Sequence, residues 1–383
     1  MNHRFVLLPV LVVLVVLVVL VVVGCAAATS TLAGNNDVAR WVESIRAVEA
    51  EGKGNVEASG ASQYLSELGP DALLDVLEGM DGAGPIASNW LRGAVDTIAE
   101  RALARGEALP RAKLEAFALD RRHSGLVRRL SYEWLVRVDP SAPDRLVPGM
   151  LEDPAVELRR DAVARELEAA QKLFDAGKEP EAIAAFKKLF PFSRDDDQVR
   201  LIAKRLEEKG EHVDLTKHFG FIREWRLIGP FDNTEKKGYD TAYPPEKELD
   251  YAAEYMGKGS TVRWIEHATP DTYGVVDLNK VFGKNKEAIA YAAAEIESEA
   301  ARPFRIRASS HNAIKIWLNG QLVFTRNDYH RGVSMDQYRT RGTLRAGRNT
   351  ILIKVCEDEQ TADWAQEWTF QLRACDATGG GIR

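Results

Sequence analysis

Cysteine is scarce, with three in 383 residues, and that excludes a disulfide framework. There is no surplus of positive charge either. Lys+Arg 51 against Asp+Glu 57 leaves −6, the wrong sign for a protein held on nucleic-acid phosphates. Long disorder is excluded by 45% hydrophobic residues. Catalytic signatures are missing as well: no H-E-x-x-H, no G-x-S-x-G and no C-x-x-C occurs. Gly257-Lys258-Gly259-Ser260 lacks the earlier glycine of a phosphate loop, because Ala252 stands there. The histidines show no ligand spacing, so no metal and no cofactor is expected. The length suits two or three domains.

What is present begins with an extreme amino terminus. Phe5 to Val23 carries no charged or polar side chain, and those 19 residues span roughly 28 Å as a helix. Arg4 supplies a short positive flank. Val22-Val23-Gly24-Cys25 resembles a bacterial lipobox. The resemblance implies a signal peptide over 1–24, lipidation of Cys25 and a flexible tether over 25–36. Two or three acyl chains would then hold the protein on the membrane. Ala26 resembles the default for export to the outer membrane, so a cell-envelope address is expected. An uncleaved membrane helix is the competing reading.

Residues 37–218 read as helical. Val38, Trp41, Val42, Ile45 and Val48 form one stripe, and Leu91, Val95, Ile98 and Leu103 another. Pro70, Pro110 and Pro143 mark similar helix starts, 40 and 33 residues apart. Asp153-Pro154-Ala155-Val156-Glu157-Leu158-Arg159 resembles the second helix of a HEAT repeat. Gly177 to Phe186 resembles a tetratricopeptide turn and helix. Both resemblances imply an α-solenoid-like stack with a protein-binding face. A plain supporting bundle remains the alternative. Asp195-Asp196-Asp197 reads as a helix N-terminus rather than a metal cluster.

Residues 219–377 read as antiparallel strands. Phe304, Ile306 and Ala308 alternate with polar residues, as do Ile351, Ile353 and Val355. Ile222 to Ile228 is expected to be a strand ending in a turn at Gly229-Pro230. Asn319-Gly320, between Ile314–Leu318 and Gln321–Phe324, calls for a two-residue type I′ hairpin. Trp317-Leu318-Asn319-Gly320 and Leu344 to Val355 resemble galactose-binding-like jelly rolls, such as the sugar-binding domain of family 2 glycoside hydrolases. That implies a β-sandwich. Trp225 to Asn233, with Tyr243-Pro244-Pro245-Glu246, resembles uncharacterised secreted proteins of planctomycete type. The last residues, 378–383, read as a disordered tail. Were 350–356 and 367–375 a hairpin, Cys356 and Cys375 would lie too far apart to bridge. Arg305, Arg307, Lys315, Lys354 and Arg373 are expected to be a solvated basic strip.

Sugar recognition needs an aromatic platform and a few fixed polar groups. The loop holding Asn327, Asp328, Tyr329, His330 and Arg331, with Asp336 and Tyr338, has that composition. So does Asp363-Trp364-Ala365-Gln366-Glu367. The competing reading makes these residues loop closures and solvated charges. The sequence thus points to a multidomain, non-catalytic, lipid-anchored envelope protein: an N-terminal helical repeat and a C-terminal antiparallel β-sandwich. Its expected partners are membrane, glycan and envelope proteins, with no nucleic acid. An assembly protein acting through its helices is one alternative. A hydrolase with an unrecognised site at the domain junction is another.

Overall fold

The computed structural model describes residues 37–382. The apolar run 5–23, Cys25 and the tether 25–36 therefore lie outside the described residues. The chain forms two compact units, one ending at Ala162 and the other beginning at Val163. The change from helical to strand periodicity near 220 falls well inside the second unit.

The first unit is helical: α1 (37–46), α2 (Asn55–Ser66), α3 (Leu73–Met80), α4 (Pro85–Ala104), α5 (Arg111–Leu119), α6 (Gly125–Val138), α7 (Ala142–Leu146) and the opening of α8 (Val156–Asp175). Helix α3 packs on α4, and α5 on α6. Ile45, Leu91, Val95 and Ile98 are buried as their spacing requires. Trp134 is buried too, and its Nε1–H donates to Asp96 at 2.9 Å. Asp153, from the HEAT-like segment, is buried and bidentate with Arg128 at 2.8 and 2.7 Å. It also accepts the backbone N–H of Ala155 at 2.8 Å, so both partners of this buried pair are hydrogen-bonded.

The second unit continues with α9 (Glu179–Leu189), α10 (Asp196–Glu207) and α11 (Leu215–Phe219). The three aspartates open α10, where carboxylates meet the positive end of the helix. Two antiparallel sheets follow. The larger has the order β4-β1-β6-β11-β8-β9, formed by β1 (Glu224–Asp232), β4 (Ile265–Ala268), β6 (Ala288–Ser298), β8 (Ile314–Leu318), β9 (Gln321–Arg326) and β11 (Gly347–Glu357). The smaller has the order β10-β7-β12-β5, formed by β5 (Val276–Asp277), β7 (Arg302–Ser310), β10 (Tyr338–Leu344) and β12 (Thr369–Cys375). A short pair, β2 (Glu254–Met256) and β3 (Thr261–Arg263), completes the set.

One face of each sheet feeds a shared core. Leu227, Ala292, Ile316 and Ile353 of the larger meet Ile306, Phe370 and Leu372 of the smaller. The residues between them point outward, where the segment 233–264 lays Tyr239, Val262 and Trp264 on Ile228, Phe231, Ile289 and Tyr291. That cover is pinned by Lys354, which is fully buried. Its Nζ donates to the carbonyls of Tyr239 (3.0 Å) and Thr241 (2.8 Å) and to Glu246 Oε1 (2.8 Å). Glu246 Oε1 also accepts the Tyr291 hydroxyl at 2.5 Å.

Several expectations need correction. Strand β1 does not stop at Gly229-Pro230. It runs on to Asp232 through a bulge, Ile228 pairing with Tyr291 and Phe231 with Ile289. Gly229 fits because a Cβ there would lie 2.8 Å from the Ile289 carbonyl oxygen. The basic strip is not a solvated face. Lys354 and Arg373 are buried on different sheets, each under a covering segment with its donors satisfied. Strands β11 and β12 are not a hairpin but belong to different sheets, and Cys356 and Cys375 are both free, buried thiols. Nor is the end of the chain loose up to residue 382. Asp376 Oδ1 accepts from the N–H groups of Thr378 (2.7 Å) and Gly380 (3.0 Å), and Gly381 N–H donates to His218 O at 2.9 Å.

Candidate functional site

The register brings one end of five strands together. Asp232 of β1 lies opposite Ala288 of β6, Ala288 opposite Glu357 of β11, and at the same end Ile314 of β8 lies opposite Arg326 of β9. The loops leaving this end hold most of the chemistry of the second unit.

Glu357 is buried and takes Lys286 Nζ at 2.5 Å, with Asn312 Nδ2 as a second donor. Burial pushes its carboxyl up to about 7, against the opposing pull of Lys286. Asp358, next along the chain, is also buried but behaves oppositely. Burial works to raise its pKa, yet hydrogen bonds from the Gln360 N–H, His330 and Lys236 hold it below the usual carboxylate range. His330 Nε2 lies 2.6 Å from Asp358 Oδ1, and Lys236 Nζ 3.2 Å from Oδ2.

His330 adopts φ 53°, and its N–H donates to Asn312 Oδ1 at 3.2 Å. Its ring meets Trp364 edge-on, with centroids 5.2 Å apart at 90°. Trp364 is 68% exposed, held on a loop that Gln366 closes with hydrogen bonds to the carbonyls of Thr361 (2.7 Å) and Ala362 (3.0 Å). On the other flank the Lys236 ammonium sits 4.9 Å over the Tyr329 ring. Asn233 Nδ2 donates to the Tyr329 hydroxyl (3.3 Å) and to the Glu357 carbonyl (2.8 Å). Burial raises the Tyr329 hydroxyl well above its ordinary pKa.

Of the residues the sequence singled out, Tyr329, His330 and Trp364 are thus brought together, with Asp363 and Glu367 exposed on the Trp364 loop. Asn327 is exposed nearby in the chain; Asp328 pairs with Arg326 and, at 3.1 Å, with Arg331. Asp336 and Tyr338 go elsewhere. Asp336 lies in an ion cluster with Arg307 (2.6 Å) and buried Arg373 (2.6 Å to each oxygen), where it stays below the usual carboxylate range. Tyr338 opens β10 and packs on Phe324 at 5.1 Å. Sequence reasoning missed Lys236, Lys286, Asn312, Glu357 and Asp358. The only hint was the acidic run Glu357-Asp358-Glu359 at the end of an apolar strand.

The group can offer an open aromatic face backed by a fixed, charged pair, bordered by the carboxylates of Asp363 and Glu367. Among the described residues no three His, Cys, Asp or Glu are placed to hold a metal ion. The main depressions of the second unit lie away from this end. One of about 570 Å³ and one of about 220 Å³ open on the outward face of the larger sheet.

No protein-family model and no curated protein matches the chain. Solved structures give partial likenesses. An α-xylosidase from Xanthomonas citri is 12% identical over 40% of this chain and 16% of its own, with a TM-score of 0.20. A Ruminococcus gnavus β-glucuronidase is 9% identical over 40% and 28%, with a TM-score of 0.23. A Kluyveromyces marxianus β-glucosidase is 8% identical over 79% and 38%, with a TM-score of 0.26. The chain therefore spans well under two thirds of each enzyme, and likenesses at these scores fix neither fold nor function.

Proposed function

We propose that this is a non-catalytic protein of the bacterial cell envelope, anchored by lipid at Cys25, whose two-layered sheet domain binds carbohydrate. On this reading the sheets form a galactose-binding-like jelly roll, and the helices a short solenoid that carries it and meets envelope proteins. The observation that carries the proposal is Trp364, an exposed indole backed edge-on by the His330–Asp358 pair. A sugar ring lays its C–H face on such a platform, while Asp363 and Glu367 accept its hydroxyl protons.

The test is a glycan array probed with full-length protein in detergent. Trp364→Ala is expected to weaken the strongest binding by about tenfold or more, with an unchanged circular dichroism spectrum. Retention of no glycan, or retention indifferent to that change, would reject the proposal.

A further inference from the structure

The cover over the larger sheet leaves part of the outward face open, at the end opposite Trp364. The two depressions there adjoin. Trp317 stands opposite Leu352, Leu352 opposite Ala293, Ala293 opposite Arg226, and Arg226 opposite Glu266. One row thus crosses β8, β11, β6, β1 and β4, a span of about 19 Å at the usual strand spacing. In the next row, Thr350 of the smaller depression pairs with Glu295 of the larger. The pair forms one trough.

Its floor is apolar, made by Trp317, Leu352 and Ala293. Its charges are unequal. Glu295 is neutralised by Arg226 (3.6 Å) and Arg348 (3.5 Å), and the Arg226 guanidinium lies 4.4 Å over the Tyr251 ring. Glu224 and Glu266 line the larger depression and Glu248 the smaller, and none of the three has an ion-pair partner among the described residues. An apolar floor under unpaired carboxylates suits aliphatic stems that end in cations. A stacked sugar fits poorly, because Trp317 is only 8% exposed and offers no open ring face.

We propose that this trough binds an extended basic segment of a partner protein, independently of any glycan at Trp364. About six residues of extended chain fill its length, with Lys or Arg at alternate positions facing the carboxylates. The experiment is fluorescence anisotropy of full-length protein with a labelled Lys-Val-Lys-Val-Lys-Val peptide, and with the same peptide carrying Gln for Lys. Glu224→Gln with Glu266→Gln is expected to weaken the lysine peptide about tenfold, to the level of the glutamine peptide. Glu181→Gln with Glu207→Gln, the same charge change on the helices, is expected to leave binding intact. Equal loss in that control makes the attraction one of net charge and overturns the proposal, as does unchanged binding in the trough variant. Cellohexaose binding that is lost with Arg226→Ala would make the trough a saccharide cleft and overturn it too.

Discussion

Two buried groups set opposing pH trends at the residue scale. The ring of His218 lies 4.2 Å from that of Phe190, and its Nε2–H donates to the Ser193 carbonyl at 2.9 Å. Burial, aided by the charge of Arg194, brings its pKa down to about 4 from 6.5. Between those values the folded chain holds fewer protons than the unfolded one, so stability rises with pH and is lost as pH falls from 6.5 towards 4. Glu357, raised from 4.5 to about 7, does the reverse, costing stability as pH rises through that window. Each effect is of order 2 kcal/mol once partial exposure is allowed for. In the parent they largely cancel. Urea midpoints measured from pH 4.5 to 7 should therefore fall on acidification in Glu357→Gln and rise in His218→Gln. Parallel profiles in the two variants would contradict this account.

Elements were legible where local chemistry decides them. Leu318 pairs with Gln321 across Asn319 (φ 51°) and Gly320 (φ 80°), as the Asn-Gly pair demands. The two motif asparagines also cooperate: Asn319 Nδ2 donates to Asn349 Oδ1 at 2.9 Å, and Asn319 Oδ1 accepts Thr350 N–H at 3.0 Å. Gly320→Ala should lower stability by about 1 kcal/mol in thermal or urea unfolding, since Ala resists that φ. Strand β10 was read as loop, because Tyr-Arg-Thr-Arg-Gly-Thr-Leu lacks apolar alternation, as an edge strand can. The bulges in β1 and β9 and the pairing of the acidic run after β11 depend on partners far along the chain, and no local period announces them.

For the whole molecule, composition and periodicity indicated helices followed by antiparallel sheets, and that order holds. They could not indicate what lies on top of the sheets. A lysine and an arginine at alternating positions read as wet because nothing nearby in sequence says that 233–264 or the closing residues will cover them. Half of the Trp364 site was hidden for the same reason. Lys236, Lys286 and Asn312 reach it from three separate loops.

The two free thiols turn this burial into a built-in clock. Cys356 sits beneath the cover of the larger sheet with its thiol pushed up to about 12, and Cys375 ends β12 with its own thiol raised by burial. Only the thiolate attacks an alkylating reagent, so each sulfur stays silent until its layer opens. In a Cys25→Ser background, iodoacetamide should modify both at one shared slow rate; capture of Cys356 alone would mean that the cover lifts while the sheets beneath it stay shut.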